Sequence, residues 1–276
     1  MGGAAAALEV LDRWPVRTAA AAVITPTGVV ATHGDVEHVF ELASVTKPLA
    51  ALAALVAVEE GALELGDPAE ERLLPGATLR HLLSHASGMA PEGRLRSFPP
   101  GTRRVYSNVG IELVAELVSA AVGMDFPAYL RQALVEPLGL AHTSLPGSAA
   151  RDGRSSVADL ARVVLELLSP SGLLHPATLA DATSVQYPGL RGVLPGYGGQ
   201  DPNDWGLGFE IRAGKHPHWT GSANSPATFG HFGQGGTMFW VDPAARLALV
   251  ALSDEPFGPW AVQAWPALSD AVLASL

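Results

Sequence analysis

The sequence predicts an α/β chain of the α+β kind, in which one antiparallel sheet is built from both chain ends and a mostly helical region is inserted between them. Three observations point there. Short β-branched, alanine-rich runs cluster before residue 43 and again after about residue 207. Long 3.6-period apolar patterns fill the middle of the chain. Amphipathic stretches at both termini are placed to cover the sheet.

The elements follow in order. Residues 4–13 carry Ala, Leu and Val at helical spacing, and Pro15 ends the pattern. Thr18–Thr25 and Val29–His33 read as strands joined by Pro-Thr-Gly, a hairpin signature. Val39–Leu42 is a third short strand. Ser44–Glu60 is the central helix, stopped by Gly61. Thr78–Ser84 is a short helix opened by a threonine cap. Asn108–Val122 places Ile111, Val114, Ala115 and Val118 on one face and ends at Gly123. Helices are also expected at Phe126–Val135 and Val157–Leu168. Residues 188–204 are rich in Gly and Pro and read as loop. Leu207–Arg212, Gly236–Val241 and Leu247–Leu252 read as strands, the last two linked by Asp242-Pro243-Ala244-Ala245. Ala261–Leu276 is the final helix, with Pro266 as a kink or its true start. Residues 1–43 and 181–276 are thus assigned to the sheet and terminal helices, and 44–180 to the helical region, within one compact unit.

Composition narrows the function. The 276 residues are 48% hydrophobic and 16% charged, which suits a well-buried core. The net charge of −10, without a basic cluster, argues against nucleic acid and anionic membrane surfaces as partners. No cysteine is present, which removes disulfides, thiolate metal sites and cysteine nucleophiles. The N-terminus lacks a basic region, and Glu9 and Asp12 interrupt its apolar run, so it does not read as a secretory signal. A cytoplasmic location is expected, although a chain trimmed of its leader reads the same. The apolar run Pro48–Val58 is too short to span a bilayer.

Chemistry concentrates in three stretches. Ser44-Val45-Thr46-Lys47 opens the central helix, and a three-residue spacing puts the Ser44 hydroxyl and the Lys47 amine on one face. A serine hydroxyl needs a base to become a nucleophile, and a lysine whose pKa is lowered by burial is one. Tyr106-Ser107-Asn108 stands just before a helix; a tyrosine there relays a proton, and Asn108 offers an amide to substrate or to Lys47. Phe229-Gly230-His231-Phe232-Gly233-Gln234-Gly235-Gly236 precedes an apolar strand, and its glycines let backbone come close to a ligand. Each stretch alone also reads as ordinary structure: a helix cap with a solvated lysine, an aromatic staple, a glycine loop. His81 and His85 have an i,i+4 metal-ligand spacing but no accompanying HExxH glutamate, and His216 and His218 stand in a loop with no acidic partner nearby; no metal is assigned to either. Trp205 and Trp219 read as core or as cleft lining.

Together, Ser44-x-x-Lys47, Tyr106-x-Asn108 and His231-x-Gly233 resemble the serine β-lactamase-related family: class C β-lactamases, D-alanyl-D-alanine carboxypeptidases and similar esterases. The flanks FELASVTKPLAALA, LRHLLSHASGM, PGTRRVYSNVGIELVAELV, YLRQALVEPLGLAHTSL and SSVADLARVVLELL resemble family segments in the same order, across residues 18–255. The resemblance implies a β-lactamase/transpeptidase-like fold and an acyl-enzyme on Ser44, with Lys47 and Tyr106 as base and proton relay and the choice between them open. It implies that Asn108 binds the substrate amide or orients Lys47, and that His231, Gly233 and Gln234 bind substrate, with the Ser44 and Gln234 N–H groups as oxyanion hole. It calls for no cofactor and no metal, and for a small ester or amide as substrate. The chain departs from the Ser-Asp-Asn and Lys-Thr-Gly forms of the later motifs. His231 stands where the family usually has lysine; a neutral imidazole weakens the case for carboxylate substrates and favours esters. A carboxylesterase is therefore expected first, then a β-lactamase or D-amino-acid peptidase. The competing reading is a non-catalytic penicillin-binding-fold scaffold or ligand-binding protein. Oligomeric state is left open.

Overall fold

The structure is a computed structural model and describes residues 2–275; Met1 and Leu276 lie outside the described residues. Helix α1 (Gly2–Leu8) passes into a 3-10 turn, Glu9–Arg13, so the expected helix over 4–13 changes type midway. Strands β1 (Ala19–Thr25) and β2 (Gly28–His33) form the expected hairpin. β3 (Phe40–Glu41) leads into a 3-10 turn, Ala43–Val45, and then α2 (Thr46–Glu59). α3 (Leu79–Leu83) opens with a capping box between Thr78 and His81. α4 (Asn108–Val122) has the expected bounds: Ser107 Oγ accepts the Gly110 N–H, and Gly123 closes it at φ 74°.

α5 (Phe126–Leu130) runs through a π turn, Arg131–Val135, into α6 (Glu136–Leu138), so this helical stretch reaches Gly139. β4 (Arg154–Ser155) pairs with β3. α7 (Val157–Leu168) is as expected, whereas α8 (Pro176–Ala182), capped by His175, was not. The stretch 188–204 is not all loop: β5 (Gly192–Leu194) and β6 (Gly198–Gln200) form a small hairpin. Only Glu210–Ile211 of the expected strand 207–212 forms β7, because Gly208 turns the chain at φ 85°. β8 (Phe229–Gly233), β9 (Thr237–Asp242) and β10 (Leu247–Ser253) complete the strands. α9 (Pro259–Ala274) begins with Pro259, and Pro266 lies inside it.

The main sheet is antiparallel in the order β2-β1-β10-β9-β8-β7. Its central register sets Ala22 opposite Val250, Val250 opposite Phe239, and Phe239 opposite His231. Period-two alternation sends the two sets of side chains to opposite faces. Val23, Trp240, Leu249 and Ala251 pack with Leu8, Trp265 and Leu268 of the terminal helices. Ile24, Phe239, Val250 and Leu252 pack with Leu52 and Leu55 of α2 and Leu160 and Val164 of α7. β10 is buried along its whole length because both faces are covered. α2 is buried around most of its circumference, as its nearly all-apolar sequence requires. The helix that carries Lys47, and that the Ser44 turn leads into, is therefore held on several sides. No helix among the described residues is long and apolar enough to cross a membrane.

Candidate active site

Ser44 lies in the 3-10 turn that launches α2. The residue before it, Ala43, has φ 47°, a left-handed conformation that an L side chain rarely adopts and that is maintained only when surrounding contacts fix it. Thr46 Oγ1 donates to the Ala43 carbonyl at 2.6 Å, and Thr237 Oγ1 of β9 donates to the Leu42 carbonyl at 2.7 Å. The turn is thus tied to its own helix and to the sheet. One helical turn on, Lys47 Nζ donates to Ser44 Oγ at 2.9 Å and to the Ala150 carbonyl at 2.8 Å. Lys47 has no solvent exposure. Burial, helped by the Arg151 charge, lowers its pKa from 10.5 to about 7, with Glu92 and Glu112 opposing the shift.

Tyr106 arrives on the segment before α4, which Arg104 secures. The Arg104 guanidinium is buried and donates to the carbonyls of Ser84 (2.6 Å), Gln186 (2.7 Å), Asn203 (3.0 Å) and Tyr187 (3.2 Å). Burial lowers its pKa to about 10, so it stays cationic at neutral pH. The Tyr106 ring packs on His85 and Trp205, at centroid distances of 4.7 and 5.6 Å. Its side chain and Ser44 border the same cavity, and Lys47 Nζ sits 4.7 Å from its ring centre. Burial pushes the phenol pKa well up, opposed in part by Ser44. Hydroxyl, amine and phenol therefore meet in one place.

Of the two roles expected for Asn108, no hydrogen bond to Lys47 is made among the described residues. Asn108 Nδ2 donates to Glu92 at 2.6 Å, while Lys47 takes the Ala150 carbonyl as its second partner. Asn108 Oδ1 is buried and has no partner among the described residues, so an acceptor remains for an incoming donor.

His231, Gly233 and Gln234 come from β8 and the turn after it. β7 pairs only with Phe229 and Gly230, which leaves the outer edge of β8 beyond them free to lie against Ser44. A Cβ on Gly233 would stand 2.3 Å from the Leu42 carbonyl oxygen and 3.0 Å from the Ser44 nitrogen, so only glycine permits this approach. His231 Nδ1 donates to the Phe232 carbonyl at 2.6 Å, because a carbonyl oxygen only accepts; Nε2 is then the unprotonated nitrogen, buried and without a partner among the described residues. Burial, with the Lys47 charge beside it, lowers the His231 pKa to about 3. The ring is neutral across the physiological range.

A narrow cavity with a volume of about 40 Å³ opens beside Ser44, and Tyr106, His231 and Gln234 also border it. Trp205 lines this cavity and Trp219 does not, although Trp219 is fully buried behind it. Two features escaped the sequence reading. Leu194, from the hairpin in the stretch read as loop, forms part of the wall. Glu210 of β7 forms another part, and it supplies the acidic partner that His218 lacked in the sequence reading. Its carboxylate accepts from His218 Nε2 at 2.9 Å, Trp219 Nε1 at 2.9 Å and Lys215 Nζ. Burial pushes the Glu210 carboxyl up, but His218 and Lys215 more than offset this and hold it below the usual range. The available signal was that Lys215 is one of only two lysines in the chain; the structure shows both to be buried.

The Beta-lactamase family model matches residues 11–273. A crystal structure of a β-lactamase from Mycobacterium bovis is 58% identical, superimposes with a TM-score of 0.95 and covers 97% of this chain and 98% of that one. A penicillin-binding protein homologue from Caulobacter crescentus, 20% identical, superimposes with a TM-score of 0.80 over 100% of this chain and 98% of its own, which shows the shared fold. A putative D-alanyl-D-alanine carboxypeptidase of Escherichia coli K12 is 25% identical over 241 residues, 70% of this chain and 55% of that protein. The chain spans only 30–55% of the length of the curated relatives it matches first. With most of its length matched by the family model and with a near-complete superposition on a 58% identical relative, the chain belongs to the Beta-lactamase family and has its serine-hydrolase fold.

Proposed function

We propose that the protein is a serine hydrolase that works through an acyl-enzyme on Ser44, acting first on carboxylic esters. The observation that carries this reading is the buried Lys47 amine, 2.9 Å from Ser44 Oγ and with its pKa lowered to about 7. At that pKa a large share of the amine is neutral at pH 7 and its lone pair is available. Tyr106 is the less available base, because burial raises its pKa and keeps it a protonated phenol at neutral pH.

The reaction then runs in two halves. Ser44 Oγ bonds to the carbonyl carbon while its proton passes to Lys47 Nζ. The carbonyl oxygen takes the electron pair and lies between the Ser44 and Gln234 N–H groups. Collapse breaks the bond to the leaving oxygen, which takes the Tyr106 proton, and Tyr106 is reprotonated from Lys47. A water attacks the acyl-enzyme with Lys47 as base again, and the Ser44 oxygen leaves with that proton.

Neutral His231 offers no cation to a substrate carboxylate, which favours esters over β-lactams and peptide C-termini. One observation favours a second reading as a β-lactamase: the 58% identical relative carries that description. Incubation with a fluorophosphonate or a penicillin, followed by intact mass, tests the shared step. An adduct on the native chain and none on Ser44→Ala supports it. No adduct, with no p-nitrophenyl ester turnover, leaves the non-catalytic scaffold. Comparing p-nitrophenyl butyrate with nitrocefin separates the ester and β-lactam readings.

A further inference from the structure

The carbonyl that receives Lys47 is carried by a turn with a charged brace of its own. Ala150 is buried, and its oxygen accepts from Lys47 Nζ at 2.8 Å. Its N–H donates to Ser148 Oγ at 3.1 Å, and that hydroxyl donates to Glu112 of α4 at 2.7 Å. Arg151, the next residue, sets one arm of its guanidinium 3.6 Å from Glu92 and the other 3.7 Å from Glu112. At these lengths the contacts are between charges and are not hydrogen bonds. Both carboxylates are also held by other partners: Glu112 by Ser148, and Glu92 by Asn108 Nδ2 at 2.6 Å. Arg151 thus stands between two anchored anions, one on the loop before α4 and one on α4 itself. Exposed ion pairs contribute little to stability, so stability alone does not account for three charges gathered beside the turn that touches Lys47.

The other titratable groups that face Lys47 are uncharged at neutral pH. Burial, with the Lys47 charge, lowers the pKa of His85 and of His231, and burial raises that of Tyr106. The charges left to act on Lys47 are those of Arg151, Glu92 and Glu112. A guanidinium works against a second cation nearby. The two carboxylates favour that cation, and they also hold the guanidinium in place.

Resting on the hydrolase reading above, we propose that Arg151, braced by Glu92 and Glu112, is a positioning residue that acts through Ala150 and Lys47 and sets the pH range in which Ser44 is active.

The three side chains are 34% to 60% exposed, so they can be changed without touching the core. Arg151→Gln should move the midpoint of the Lys47 titration, followed by ¹³C at the lysine ε-carbon, up by about half a pH unit or more. The acid limb of kcat/KM on p-nitrophenyl butyrate should move up with it. Glu112→Gln should move both down, since glutamine keeps an oxygen for Ser148 but not the charge. Glu92→Gln keeps an oxygen for Asn108 in the same way and should act in the same direction. Arg151→Lys keeps the cation, and its kcat/KM profile should return towards the native one. Opposite movement in the arginine and glutamate variants is a result that a merely structural turn would not give. Midpoints unmoved in both Arg151→Gln and Glu112→Gln, movement of both in one direction, or a fall in kcat with the acid limb in place would overturn the proposal. Failure of the hydrolase reading is a separate result: no ester is turned over and Ser44 takes no fluorophosphonate, while the lysine signal still reports the charges around it.

Discussion

Replacing Lys47 by methionine should make the folded protein more stable at neutral and lower pH while abolishing its activity. The fold lowers the Lys47 pKa from 10.5 to about 7. At about 1.36 kcal/mol per pKa unit, keeping a proton on this buried amine costs on the order of 5 kcal/mol. Methionine is close in length and carries no charge, so it removes that cost. Against the gain, it loses the bonds to Ser44 and Ala150. Together with the unpaired Ala150 carbonyl, that loss comes to about 2–4 kcal/mol. The net expectation is a gain of about 1–3 kcal/mol at pH 6. The sign with pH follows from proton counts. Between about 7 and 10.5 the unfolded chain keeps a proton on Lys47 that the folded chain has released, so native stability rises with pH in that window. The advantage of the methionine variant is full below pH 7, shrinks through the window by about 1.36 kcal/mol per pH unit, and reverses at about pH 8–9. Urea unfolding followed by circular dichroism at pH 6, 8 and 10 reads the difference directly. A variant less stable than native at pH 6, by an amount that does not change with pH, would refute the reasoning.

Four further outcomes follow from the same geometry. Ser44→Ala should lower ester turnover by about 10³-fold or more, measured as kcat on p-nitrophenyl butyrate. Tyr106→Phe should lower kcat by about 10²–10⁴-fold with a smaller change in KM, since the lost hydroxyl serves proton transfer and not binding. Gly233→Ala would set a methyl 2.3 Å from the Leu42 carbonyl oxygen; moving β8 away by a fraction of an ångström should cost about tenfold or more in kcat/KM, with a modest fall in melting temperature. The kcat/KM profile should rise with pH along an acid limb centred at about 7, because the neutral Lys47 amine is the active form.

The parts of the structure legible in the sequence were those set by local rules. α4 is bounded by a serine cap and a left-handed glycine, so its limits could be read at residue level. The β1–β2 hairpin and the Ser44–Lys47 spacing are equally local. Tyr106 and the stretch around His231 could be singled out locally but not told apart from an aromatic staple and a glycine loop; the resemblance gave them weight, because their approach to Ser44 is a product of the sheet register and the Arg104 anchor. The burial of Arg104 was not legible, since a loop arginine ordinarily faces water and only the folded chain supplies four carbonyls to receive it. Glu210 was missed for a related reason. Its partners Lys215, His218 and Trp219 return to it through a turn whose Gly/Pro texture predicts loop but not direction. The β5–β6 hairpin lay hidden in the same texture, because glycine-rich strands lack the alternation that marks a sheet face.

Catalysis by Ser44 requires Lys47 to be largely uncharged while it touches the serine. Lys47 and Lys215 are the only lysines in the chain, so protein labelled with ¹³C at the lysine ε-carbon gives two side-chain signals, and Lys47→Met assigns them. Titration should move the Lys47 signal with a midpoint at about 7. A midpoint near the ordinary lysine value of 10.5 would contradict the account, since the amine would then be a fixed cation with no lone pair to give.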